Sequence, residues 1–154
     1  MLNKFNVIII LIVALMLSGC GNNFQNTAEK KAVEFVKIYE KISNGDMTEQ
    51  SKRDFLSCFV PIQRDFMTAW LPQLLHDGYT LHSMGVSMVF EVENVVTNYV
   101  KDIPDGLQEA SVDVTVKIKA SDKNGIDESK GIIHFIMVGK GNDALIYDWT
   151  EDKN

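Results

Sequence analysis

Apolar positions recur along this chain with two different periods, and the switch between them divides it into halves. From Ala28 to Ile42, the residues Ala32, Val33, Phe35, Val36, Ile38, Tyr39 and Ile42 follow an i, i+3, i+4, i+7 spacing. Lys30, Lys31, Glu34, Lys37, Glu40 and Lys41 lie mainly on the other side, so this stretch predicts an amphipathic helix. Asn26 with Glu29 has capping-box spacing at its start, and Asn44-Gly45 supplies residue types that end helices. Asp46 with Glu49 offers a second cap, with Thr48 as an alternative, and predicts a shorter helix to about Phe59. Pro61 suits the first position of a third helix, whose apolar side is Ile62, Phe66, Trp70, Leu71, Leu74 and Leu75. Pro72 lacks an N–H and is expected to kink or end that helix near Trp70, and Asp77-Gly78 reads as a turn.

Beyond Gly78 the period becomes two. Val86, Met88, Phe90 and Val92 oppose Ser87, Glu91 and Glu93 in a strand expected to reach about Val100, and a turn follows at 102–106. Val112, Val114, Val116 and Ile118 alternate with Asp113, Thr115, Lys117 and Lys119, the pattern of a sheet with one buried and one wet face. Lys123-Asn124-Gly125 signals a hairpin within a longer loop. A third strand, apolar on both faces, is expected over Ile132–Val138 and a fourth over Ala144–Trp149, joined by the turn at 139–142. Helices followed by a meander of four strands define an α+β class with the helices on one face of an antiparallel sheet.

The chain opens with Lys4 and then an apolar run, Val7–Leu17. At roughly 11 residues the run falls short of the about 20 needed to span a bilayer and has the length of a signal-peptide core. Leu17-Ser18-Gly19-Cys20 then resembles the lipobox of bacterial lipoproteins. That resemblance implies cleavage between Gly19 and Cys20, a diacylglyceryl thioether on Cys20, and often a further acyl chain on the new amino group. Two or three chains anchor a protein stably where one is marginal. The expected organisation is a signal peptide at 1–19, lipidated Cys20 with a polar tether to Thr27, one domain over 28–150, and a polar tail at 151–154. The protein is then expected outside the cytoplasm, on the outer face of the cell membrane. In a host with two membranes, Gly21 rather than an aspartate after the lipidated cysteine implies transfer to the outer one.

Charge narrows the partners. The formal net charge is −6, and loss of residues 1–19 removes Lys4 but no acidic residue. An acidic domain argues against nucleic acid and against electrostatic adhesion to anionic lipid, which leaves the lipid as the anchor. With Cys20 acylated, Cys58 remains alone and cannot form an internal bridge. Its neighbours Phe55, Leu56, Phe59 and Val60 favour a small buried hydrophobe over a reactive thiol.

The order of elements, together with Ala32-Val33-Glu34-Phe35-Val36-Lys37-Ile38-Tyr39, Asn44-Gly45-Asp46, Phe55, Phe59 and the closing Leu145-Ile146-Tyr147-Asp148-Trp149, resembles the nuclear-transport-factor-two-like, or cystatin-like, superfamily. The resemblance covers roughly residues 28–150. It implies a curved four-stranded sheet wrapped as a cone around the helices, either open to a ligand or filled by side chains. Small bacterial lipoproteins carry such domains, some on conjugative elements. Lipid anchoring, a small acidic domain and no catalytic constellation lead to the expectation of a non-enzymatic binder of another envelope protein; the resemblance alone adds an accessory or exclusion role, and a carrier or sensor of a small apolar ligand using the cone is the alternative. Ketosteroid isomerase and related enzymes place Asp and Tyr in the cone. Here Tyr39, Tyr79, Tyr99 and Tyr147 offer no pair assignable to those roles.

Residue types capable of chemistry are sparse. His76, His82 and His134 are too dispersed for a local metal motif, and no cofactor-binding pattern is present. His134 sits among apolar residues, as a hydrogen-bonded core or groove histidine or as a pocket base, and His76 is expected at a helix end. Glu91 and Glu93 read as a solvated face, and Asp122–Glu128 as a hydrated hairpin rather than a calcium loop. Tyr39, Phe66, Trp70, His134 and Trp149 are the candidates for a pocket or partner surface, while core packing is the commoner fate of Trp.

Overall fold

The computed structural model describes residues 23–153. The expected signal peptide, its Gly19–Cys20 junction and lipid-bearing Cys20 lie outside them. Three helices, α1 (Asn23–Ser43), α2 (Glu49–Ser57) and α3 (Pro61–Ser83), precede strands β1 (Ser87–Ile103), β2 (Leu107–Asp122), β3 (Gly125–Lys140) and β4 (Asp143–Lys153). The strands pair in sequence order as one antiparallel sheet. The α+β class and the curved sheet packed on helices are as expected.

Helix α1 begins at Asn23 rather than Ala28, so the stretch 23–27, expected as tether, is helical, and Asn26 is inside the helix rather than its cap. The reason is one more turn of the apolar stripe: Phe24, Ala28 and Ala32 are all fully buried. At its other end Asn44-Gly45 stops the helix as expected, Gly45 taking φ 83° while its N–H bonds Ile42 O at 2.9 Å. Thr48, not Asp46, caps α2: its hydroxyl accepts the Ser51 N–H at 3.2 Å, and Asp46 instead receives the Thr48 N–H at 3.0 Å.

Helix α3 runs straight through both expected stop signals. Pro72 is exposed and forfeits one backbone bond, while Met67, Leu71, Leu74, Leu75 and Gly78 form a continuous buried face on the same helix. Burial of that face outweighs the lost bond. Gly78 is a packing residue, not a turn: a Cβ there would run into the Ile42 carbonyl oxygen, so glycine lets α3 cross α1 at close range. The helix ends at Ser83, which places His82, rather than His76, in the last turn.

In the sheet, β2 alternates as read, with Ala110, Val112, Val114 and Val116 buried on the concave face. Register breaks at Val92/Asn94 and Thr97/Tyr99 curve β1 and move its inward set from Phe90 and Val92 to Val95 and then Val100. The β2–β3 connection is a two-residue turn rather than a longer loop, and Asp122 Oδ1 accepts the N–H of Asn124 at 2.7 Å and of Gly125 at 3.1 Å. Strand β4 continues to Lys153, so Glu151 and Asp152 belong to the sheet and not to a tail. The convex face is wet and laced with pairs: Lys119–Glu91, Lys117–Glu128 and Lys130–Glu93. Both glutamates of the expected solvated pair hold lysines in this way.

Both sheet edges are partly covered. Asn44 donates its amide to Met88 O and accepts the Met88 N–H, each at 2.7 Å, imitating a neighbouring strand, and Glu40 accepts the Phe90 N–H at 3.0 Å. At the other edge the α2–α3 connection pairs with β4 through Val60 N–H to Ile146 O and Ile146 N–H to Cys58 O. Such cover removes free strand edges that would invite aggregation.

Candidate functional site

Helix α3 packs chiefly on α1 and α2 and leans away from the sheet. The gap this leaves at one end of the cone is a groove of about 470 Å³, within the ~300–1,000 Å³ typical of small-molecule sites. Trp70, Leu74 and Leu81 form its helical wall, Phe90, Val116 and Ile118 its sheet wall. Tyr39 and Trp70 both line it. Trp149 joins it to the core: its ring lies 5.5 Å from Tyr39, 6.1 Å from Trp70 and 5.2 Å from Phe35, centroid to centroid.

The other two candidates lie elsewhere. Phe66 is 66% exposed, one helical turn before Trp70 and outside the groove. His134 is on the convex face of the sheet. Its Nδ1 meets Asp113 at 2.8 Å and its Nε2 meets Asp152 at 3.0 Å. The Asp113 hydrogen bond above all, with help from Asp152, raises its pKa above the ordinary histidine value. The two carboxylates engage opposite ring nitrogens, so the trio does not converge on a point, and no metal-ligating group of three occurs among the described residues. Burial pushes the Cys58 thiol up to about 11, in keeping with an unreactive side chain.

The groove also has acidic members that the sequence pattern does not single out. Burial first, and then the Glu151 carboxylate beside it, push the Tyr39 phenol well above its ordinary range, so its hydroxyl stays protonated. Glu151 follows Trp149 by two residues and therefore shares its face, a signal obscured by reading 151–154 as a tail. This pairs a tyrosine with a carboxylate at an open pocket, but Glu151 is exposed.

No protein-family model matches the chain, and no curated protein is significantly similar to it in sequence. Solved structures are similar in shape. A periplasmic fragment of TraM aligns over 81% of this chain and 97% of its own, at a TM-score of 0.54 and 9% identity. The periplasmic domain of DotI aligns over 84% and 92%, at 0.54 and 9%. ActVI-ORFA from Streptomyces coelicolor aligns over 81% and 93%, at 0.51 and 12%. At such identities the likeness establishes a shared fold, helices packed on one antiparallel four-stranded sheet, and not a shared activity.

Proposed function

We propose that this chain is an extracytoplasmic protein, anchored by lipid on Cys20, whose domain binds another envelope protein without catalysing a reaction. The observation that carries the reading is an apolar row along α3 that runs from the groove out into solvent. Ile62 is 78% exposed and Phe66 66%, and with half-buried Trp70 they form an i, i+4, i+8 row of large apolar side chains in water. Exposed apolar patches of that kind mark interaction surfaces. The lipobox pattern supports the anchor, and the fold is one that occurs in domains described as periplasmic. No helix among the described residues is long and apolar enough to cross a membrane. An accessory or exclusion role on a mobile element is the form of this reading that the family resemblance favours.

The test is a cross-linked pull-down of the intact chain from native membranes, beside a Cys20→Ser form. One envelope protein enriched with the intact chain and lost with the unanchored one is the expected result. A stoichiometric small molecule with no enriched protein would overturn it. That outcome belongs to a second reading, a carrier or sensor of a small apolar ligand, which the groove itself favours. Trp70 in the groove wall, and Trp149 packed behind it at 6.1 Å, would then report binding through their fluorescence.

A further inference from the structure

We infer that the groove seats a segment of the partner protein that combines a large apolar side chain with a lysine. The inference rests on the protein-binding reading and specifies the chemistry of the partner. Inside, the groove is apolar, with Trp70, Leu74 and Leu81 facing Phe90 and Ile118. Its lining is acidic at the exposed positions, through Asp77 on α3 and Glu151 and Asp152 on β4, of which Asp152 is engaged by His134 at 3.0 Å. The Asp77 carboxylate accepts the Gln73 amide at 2.7 Å, and Glu151 neighbours the Tyr39 hydroxyl. Neither forms an ion pair with a described residue, whereas Lys130, the cation in the lining, is held by Glu93 at 2.6 Å. On the convex face the opposite holds: Glu91, Glu93, Glu109 and Glu128 each hold a lysine.

Charge complementarity therefore selects the occupant. A segment with a lysine satisfies Asp77 and Glu151, while a neutral or acidic one leaves two carboxylates against it. The chain's surplus of acidic over basic residues, 21 to 15, steers basic surfaces toward it. Ile62 and Phe66 continue the apolar wall along α3 beyond the groove. An amphipathic segment covers that extension, as helices do when they bind in grooves, and a small molecule confined to the cone leaves it bare.

The experiment treats native membranes carrying the intact chain with a carbodiimide, which joins a carboxylate to a lysine amine with loss of water. A longer amine-reactive cross-linker is run in parallel. The expected products join Asp77 or Glu151 to a lysine of the partner flanked by large apolar residues. Reversing both charges, Asp77→Arg with Glu151→Arg, which adds no amine for the reagent to couple, should lower capture by the longer cross-linker at least about tenfold. Both sites are exposed, so circular dichroism should not change, and a melt of the variant confirms that it is folded at the temperature of capture. Capture that survives the double reversal, or products that all map elsewhere, overturns the groove assignment and leaves the protein-binding reading standing. No protein captured by either reagent, with an amphiphile recovered from the purified chain, overturns both.

Discussion

The two ends of the cone are built from the same helix and the same sheet, yet one is sealed and the other open. At the sealed end Phe35 lies at the centre of a ring cluster: Phe55 at 5.5 Å, Phe59 and Phe135 at 5.6 Å, all fully buried. Phe59 is also pinned to β4 by the backbone pairing around Ile146. One turn further along α1, Tyr39 stacks on Phe35 at 6.0 Å but faces the groove with Trp70 and Phe90. The open end is no less aromatic. It lacks a third wall, because α3 rests on the other helices and not on the sheet. Apolar side chains left half-covered in this way are available to a partner, whereas those at the sealed end are committed to stability.

The largest expected effect tests that division directly. Phe35→Ala should destabilise the domain by about 3–5 kcal/mol, the range for a buried aromatic truncated in a rigid core. Trp70→Ala, at a half-buried position on the groove, should be distinctly milder. Denaturant melts of the two variants decide it, and equal losses would show that the groove is as much core as the Phe35 cluster. Next comes the close crossing that sets the lean of α3. Gly78→Ala puts a methyl group against the Ile42 carbonyl oxygen and should cost about 1–3 kcal/mol as α3 is pushed away. The midpoint of urea unfolding reads this. An unchanged midpoint would mean that α3 is not held at this point.

A smaller effect concerns the edge of β1 beside the open end. Asn44→Ala removes both partners of the Met88 backbone and should cost about 1–2 kcal/mol. Hydrogen exchange at the Met88 amide should quicken more than exchange at Val114 in the centre of β2. Uniform quickening would show that Asn44 supports the whole fold and not its edge.

Much of this arrangement is legible in the sequence where a residue's fate is decided by its near neighbours. The β2 alternation and the α1 stripe through Ala32, Phe35 and Ile42 are of that kind, and their buried faces follow. The misreadings at Asp77-Gly78, Pro72 and Asn26 share one cause. Each residue carries a local signal that a distant partner overrules: the Ile42 carbonyl oxygen needs a glycine at 78, and the buried faces of α3 and α1 extend the helices past Pro72 and back to Asn23. The site is legible in part. Periodicity sets Phe66 and Trp70 on one side of α3, but how far the sheet reaches beneath them depends on the lean of the helix. Hence Trp70 enters the groove and Phe66 stays outside it. His134 was misleading for a different reason. Apolar neighbours on both sides suggested a core or groove residue, but strand alternation turns it outward, between Asp113 and Asp152.

That outward trio gives the smallest prediction, and its sign can be worked out. Folding gives His134 two carboxylate partners, which raise its pKa above the ordinary value near 6.5. A raised pKa means that the folded chain holds the proton more tightly than the unfolded one. The stabilisation is therefore fully present below about pH 6.5, and it fades as the pH climbs through the higher folded-state value. The side chain is about a third exposed, at 35%, so solvent screens the pair and the contribution should stay under about 1 kcal/mol. Thermal melts of the natural chain and of His134→Gln should differ most below about pH 6.5 and converge as the pH rises through the folded-state value above it. A difference that grows with pH would reverse the assignment. A melting difference independent of pH would show that the ring acts by packing alone. The sealed cluster around Phe35 should not respond to this change, because the sheet stands between it and the histidine.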